Sequence, residues 1–308
     1  METLHVLAAP DAHDIHMRIW HPKQEFAGVI QLLHGLGEHV NRYDRFAAAA
    51  NARGFVVCAH DHRGHGGHDA TAGYFADKNG WNLVVDDVHI AHEHIREQFQ
   101  LPIVMLGHSM GSYVAQSFAM HYGAKLSGLL LSGSMWPRRE KLLPAILLAR
   151  LESLRLGKRG RSALMNKLGF GDFNKRFEPA RTELDWLSRD EHEVDLYIAD
   201  PLCGGPYTCG LWIDVMSALF KIGSDSALNR VPADLPILIT GGSDDPVGGE
   251  DSMARLTVHY AQTGHQRVTM KLYPEGRHEM LNETNRNDVT GDWLDWIGAR
   301  FSASRPSS

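Results

Sequence analysis

Cysteine, positive charge and long apolar runs are all scarce in this sequence. The 308 residues contain three cysteines, Cys58, Cys203 and Cys209, an odd count that excludes a dense disulfide framework. Spacing permits one bridge, between Cys203 and Cys209 across a Gly-Gly-Pro turn, but free thiols in a reducing cytoplasm are the expectation. Lys and Arg number 31 against 37 Asp and Glu, a net charge of −6, so no basic footprint for nucleic acid is indicated. No apolar run approaches the roughly 20 residues that cross a bilayer. The first twenty residues lack the basic stretch and apolar run of a secretory leader, and a cytoplasmic protein is expected. Repeats and low-complexity tracts are also missing. With 43% hydrophobic residues the chain is too apolar for disorder, and at this length folding buries about three quarters of the chain's surface without help from a disulfide or structural metal.

Short strand-like runs punctuate the chain. Residues 4–8 and 15–20 alternate apolar with polar, which predicts an antiparallel hairpin with one wet face. Residues 27–33, 55–59, 101–106 and 126–131 are apolar almost throughout, as strands of a parallel sheet covered on both faces must be. Between them, residues 43–52, 81–98 and 110–122 carry helical spacing. After residue 134 the pattern becomes helical, and β/α alternation returns with strands at 235–240 and 268–273 and a helix at 289–301. The reading is an α/β core of residues 1–134 and 231–303, a helical cap inserted at 135–230, and a disordered tail at 304–308. Within the cap, Leu142, Leu143, Ile146, Leu147, Leu151 and Leu154 form a stripe. It either packs on its own domain or lines an acyl channel or touches a lipid surface.

The strongest local signal is Gly107-His108-Ser109-Met110-Gly111, after one predicted strand and before a helix. A serine hydroxyl becomes a useful nucleophile when a sharp turn exposes it and a base removes its proton. Ser109 is the candidate nucleophile. A second glycine-rich segment, His34-Gly35-Leu36-Gly37-Glu38-His39, follows the strand at 27–33. The backbone N–H groups of Leu36 and Met110 are assigned as the pair of donors that a tetrahedral acyl-transfer intermediate needs. The acid and base are sought after the nucleophile, in loops at the C-terminal ends of later strands. Asp245 in Gly241-Gly242-Ser243-Asp244-Asp245 is the candidate acid, with Asp244 its rival. His278 in Pro274-Glu275-Gly276-Arg277-His278 is the candidate base, and His259 and His265 are more weakly placed.

Other motifs carry less. His60, Asp61, His62, His65 and His68 are dense enough for a metal site to be weighed, but no native metal is expected. His89, His92 and His94 suit a half-exposed helix face. Gly64-His65-Gly66-Gly67 lacks the complete dinucleotide fingerprint, and no cofactor is expected.

Taken together, HGLGEHVNRYDRFA at 34–47, AHDHRGHGGHD at 59–69, GHSMGS at 107–112, LPILITGGSDDPV at 235–247 and YPEGRHEMLNE at 273–283 resemble the α/β-hydrolase superfamily. Within it the sequence resembles specifically the monoacylglycerol lipase and lysophospholipase branch, also grouped as serine aminopeptidase-like hydrolases. It extends over almost the whole chain and is weakest at 135–230. It implies the α/β-hydrolase fold, a mostly parallel central sheet flanked by helices with an inserted helical cap. It also implies a triad of Ser109, Asp245 and His278, an oxyanion hole at Leu36 and Met110, and a role in lipid metabolism. Leu36 stands where relatives often carry a smaller residue. The expected substrate is a small acyl ester or single-chain lipid, with transient membrane-surface contact through the cap. A small-peptide aminopeptidase is the alternative, with Glu178, Glu183, Asp185, Glu191 and Glu193 available to hold an amine. A non-catalytic ligand-binding protein would be expected to have lost a triad member, and none is missing.

Overall fold

The computed structural model describes residues 1–68, 72–205 and 207–303; the tail expected at 304–308 lies outside them. Eight strands among these residues form one sheet: β1 (Glu2–Ala8), β2 (Asp14–Trp20), β3 (Gly28–Leu33), β4 (Phe55–His60), β5 (Ile103–His108), β6 (Gly128–Ser132), β7 (Ile237–Gly242) and β8 (Val268–Tyr273). Their order is β1-β2-β4-β3-β5-β6-β7-β8. The hairpin β1–β2 joins β4 antiparallel, and every pairing from β4 to β8 is parallel. Every residue of β3 to β7 is buried, because helices cover both faces there.

One face is closed by α1 (Asp44–Ala52) and α10 (Arg286–Ala303) through Phe46, Ala50, Trp293 and Ile297. The other carries α2 (Gly80–Phe99), α3 (Met110–Tyr122) and α9 (Glu250–Gln262), packed through Val84, Val88, Val114, Phe118, Met253 and Leu256. Between β6 and β7 the chain leaves the sheet for α4 (Arg139–Leu156), α5 (Ala163–Phe170), α6 (Glu191–Ala199), α7 (Cys209–Ile222) and α8 (Asp225–Leu228). Side chains of Ser162, Asp190 and Thr208 accept N–H bonds at the starts of α5, α6 and α7, which fixes where these helices begin. The insertion shares the second core, since Ile146, Ala149, Leu211 and Trp212 pack in the same cluster as α2 and α3.

Two details differ from the sequence reading. His92 is fully buried and its Nδ1 lies 2.7 Å from Gln31 Oε1, so it belongs to the core; only His89 and His94 are half-buried. The leucine stripe splits. Ile146 packs inward, but Leu143, Leu147, Leu151 and Leu154 are 55, 61, 54 and 86% exposed and form an outward apolar strip beside Arg150 and Arg155. Cys58, Cys203 and Cys209 are all free thiols.

Candidate active site

Four loops at the C-terminal ends of parallel strands bring the sequence candidates to one edge of the sheet: Leu36 after β3, Ser109 after β5, Asp245 after β7 and His278 after β8. The turn at Ser109 is tight because two glycines allow it. A Cβ on Gly111 would stand 2.2 Å from the Leu33 carbonyl oxygen, and one on Gly107 would stand 2.4 Å from the carbonyl oxygen of Gly111. The helix can therefore start directly against the strand end. Ser109 itself is held at φ 50° and ψ −119°, a conformation that a side chain rarely adopts and that costs about 1–3 kcal/mol. Its N–H donates to the Ser132 carbonyl at 2.9 Å.

The candidate acid and base are joined. His278 Nδ1 lies 3.0 Å from each carboxylate oxygen of Asp245, and both residues are buried. Burial works against the Asp245 carboxylate, but the His278 charge and the hydrogen bonds from His278, Val247 and Gly248 outweigh it and hold its pKa below the usual range. Burial likewise disfavours a charged His278, yet Asp245 raises its pKa above the ordinary imidazole value. The rival Asp244 instead accepts from Arg176 at 2.7 Å and is not bonded to His278. His259 pairs with Asp225, and His265 bonds backbone carbonyls of Tyr260 and Val231, so neither is placed as the base.

His278 sits against the same strand end as the serine turn, since a Cβ on Gly133, next to Ser132, would lie 2.9 Å from His278 Cε1. Gly35 stands on the serine's other side, where a Cβ would meet the Ser109 Cβ at 3.2 Å. The Leu36 N–H has no backbone acceptor among the described residues. Met110 opens α3, where an N–H has no carbonyl one turn earlier. Ser109 Oγ has no hydrogen-bond partner among the described residues, so the hydroxyl-to-imidazole link is not made in this state. Ser109 is half-buried and His108 buried; burial and the nearby His278 lower the His108 pKa to about 4, leaving it neutral beside His278.

A polar scaffold beneath these groups was not anticipated from the sequence. Glu38 accepts from the Gly35 N–H at 2.6 Å, from Tyr43 at 2.9 Å and from Arg42 at 3.0 Å. Arg42 also forms two bonds of 2.7 Å with Glu279, beside His278, and stacks over Tyr197. One guanidinium thus ties the loop after β3 to the loop after β8. The 34–39 and 273–283 motifs contain these residues, but nothing local shows that positions 237 apart will pair.

The histidine-rich loop after β4 is structural in the same sense. His34 Nε2 accepts the His62 N–H at 2.9 Å while Nδ1 faces the Gly35 carbonyl at 2.8 Å. Burial lowers the pKa of His60 to about 3 and of His65 to about 4, and carries His62 well down, so these rings are neutral. Over His278 lies an aromatic wall from the insertion. Trp186 has its ring centre 5.0 Å from the imidazole and packs with Phe170, Phe173 and Val247. The insertion also grips the loop after β3, because the Gly37 carbonyl accepts from Tyr197 Oη at 2.7 Å and from the Gly204 N–H at 2.8 Å.

Comparison with known proteins agrees with this architecture. The family model described as "Serine aminopeptidase, S33" matches residues 24–285. A monoacylglycerol lipase of Mycolicibacterium smegmatis is 28% identical over 283 residues, 91% of this chain and 91% of its own. The monoglyceride lipase of Mus musculus is 28% identical over 302 residues, 97% of this chain and 91% of its own. Among solved structures, a thermostable carboxyl esterase from Bacillus coagulans in complex with glycerol matches with a TM-score of 0.89 at 30% identity, covering 97% of this chain and 99% of its own.

Proposed function

Because the chain belongs to the serine aminopeptidase S33 family of the α/β-hydrolase superfamily, related to monoacylglycerol lipases and esterases, we propose that it is a serine hydrolase of carboxylic esters acting through Ser109, His278 and Asp245. The observation that carries the reading is the His278–Asp245 bond at the mouth of the Ser109 turn. Asp245 keeps the proton on Nδ1, which leaves the Nε2 lone pair to take the Ser109 proton as Oγ attacks the ester carbon. The carbonyl oxygen gains negative charge and rests on the N–H groups of Leu36 and Met110. Collapse of this intermediate breaks the ester C–O bond, and His278 gives its proton to the departing alcohol. Water then repeats the sequence on the acyl-enzyme, releasing the acid and restoring Ser109.

The substrate we propose is a monoacylglycerol, lysophospholipid or similar acyl ester. The aromatic wall beside His278 suits an acyl chain, each buried CH₂ being worth about 0.8 kcal/mol. The outward leucine strip, flanked by Arg150 and Arg155, suits transient contact with a lipid surface from which such a substrate is drawn. Three free thiols suit a cytoplasmic setting. The aminopeptidase alternative is disfavoured by where the acidic residues of the insertion go. Glu178, Glu183 and Glu191 are exposed, Asp185 is bonded to Arg181 and Thr182, and Glu193 pairs with Arg45.

The test is a panel of p-nitrophenyl esters from acetyl to palmitoyl, run beside monoacylglycerol, lysophosphatidylcholine and an aminoacyl p-nitroanilide. Ester turnover is expected to exceed anilide turnover, and Ser109→Ala to lower it by about 10⁶-fold with the fold intact. Faster anilide cleavage would reverse the ranking, and an active Ser109→Ala enzyme would eliminate the nucleophile.

A further inference from the structure

The loop that carries the Leu36 N–H runs on into His39, where it meets the insertion. His39 Nε2 lies 2.8 Å from Asp200 Oδ2, and one donor atom each from His39, Asp200 and Cys203 lies within 4.8 Å of the other two. His39 is buried while Asp200 and Cys203 are half-buried, so the cluster is reached from solvent on the insertion side. The second ring nitrogen of His39, Nδ1, is buried and has no hydrogen-bond partner among the described residues. The proposed ester chemistry uses none of the three side chains. An imidazole, a carboxylate and a thiol are a mixed set that suits Zn²⁺, and the thiol sets it apart from the all-oxygen sites of Mg²⁺ and Ca²⁺.

We infer that His39, Asp200 and Cys203 form a binding site for one thiophilic divalent cation, with Zn²⁺ the ion the donors fit, and that the bound ion fastens the insertion to the loop after β3. Ligand atoms around one tetrahedral Zn²⁺ stand roughly 3.5 Å apart, so the hydrogen-bonded pair, now 2.8 Å apart, spreads slightly and the sulfur, within 4.8 Å of both, closes in by at most about an ångström. The protons balance simply. The thiol gives its proton to solvent, and the imidazole moves its own from Nε2 to Nδ1, so a thiolate and a carboxylate neutralise the dication. Arg42 is the neighbouring cation, but Glu38 and Glu279 both bond it, and the three together carry −1.

Co²⁺ reports on such a site through a thiolate-to-metal charge-transfer band in the near ultraviolet. Titration of the full chain should give that band at one Co²⁺ per chain, with Zn²⁺ displacing it. Cys203→Ser should abolish the band and Cys209→Ser should keep it. His39→Gln or Asp200→Asn should weaken binding by about tenfold or more, with thermal melts showing that each variant is folded. No band in the wild type, or a band surviving in Cys203→Ser, overturns the site. Co²⁺ held only by the histidines around the stacked His16 and His68 would give no band and also overturns it. With Zn²⁺ bound, amide exchange should slow across residues 35–41 and 200–204; unchanged exchange at full occupancy overturns the fastening.

Discussion

Replacing Asp245 by Asn tests the assignment of the base and its partner in one experiment. The substitution keeps the shape of the side chain and an oxygen for the Val247 N–H, which now bonds Asp245 at 2.8 Å. It removes the charge that faces His278. Two unit charges about 4 Å apart at an effective dielectric of 20 interact by about 4 kcal/mol, a factor of about 10³ in a rate that passes through an imidazolium. An amide can also present its NH₂ to Nδ1 and favour the wrong tautomer, which brings the expected loss in kcat to about 10³–10⁴. The pH profile gives an independent check. His278 must be neutral to act as a base and its pKa is raised, so wild-type kcat/KM should climb with pH through a midpoint above 6.5. Without the carboxylate, burial pulls that pKa down, and the limb should move to lower pH by about one unit or more. Asp244→Asn is the control, since Asp244 is bonded to Arg176. Steady-state kinetics on a soluble ester from pH 5 to 9 would decide between them. An Asp245→Asn enzyme with near-normal kcat and an unmoved limb, or the same losses in Asp244→Asn, would show that Asp245 is not the partner of His278 in catalysis.

Two further outcomes follow from packing. Gly111→Ala drives a methyl group against the Leu33 backbone, which cannot yield as a side chain would; urea unfolding should show a loss of roughly 1–3 kcal/mol, and wild-type stability would mean the serine turn is looser than described. In the leucine strip, Leu147 and Leu151 are each more than half exposed and would gain about 1 kcal/mol on entering lipid. The double change to Ser should therefore weaken sedimentation with anionic phospholipid vesicles by about 30-fold, and equal binding would remove the strip from the account.

The sequence made the sheet legible because β3 to β7 are buried on both faces and so read as nearly continuous apolar runs. The serine turn was legible because the two glycines that let α3 touch β3 are written beside it. Other parts were harder to see. Helix α9 is not among the helices the spacing predicts, although Met253, Leu256 and Tyr260 recur at helical spacing and face the core. Helical period alone did not show which side of α4 faces inward, since Ile146 and Ala149 lie on one side while Leu143 and Leu147 lie on another. His92 reads as a polar helix residue until Gln31, 61 positions away, supplies its partner. Longer separations hide Arg42 from Glu279, 237 positions away, and His39 from Asp200, 161 away.

On the proposed mechanism, the two bonds that the Gly37 carbonyl accepts from Tyr197 and Gly204 would place admission and reaction in mechanical series. A local shift of the segment around Tyr197 and Gly204 that breaks both forfeits roughly 1–3 kcal/mol from these bonds alone and frees the peptide beside Leu36 to drift. A wide-open doorway would then be a disarmed one, and the machinery would regain its grip on the oxygen only as the roof settles back over the guest.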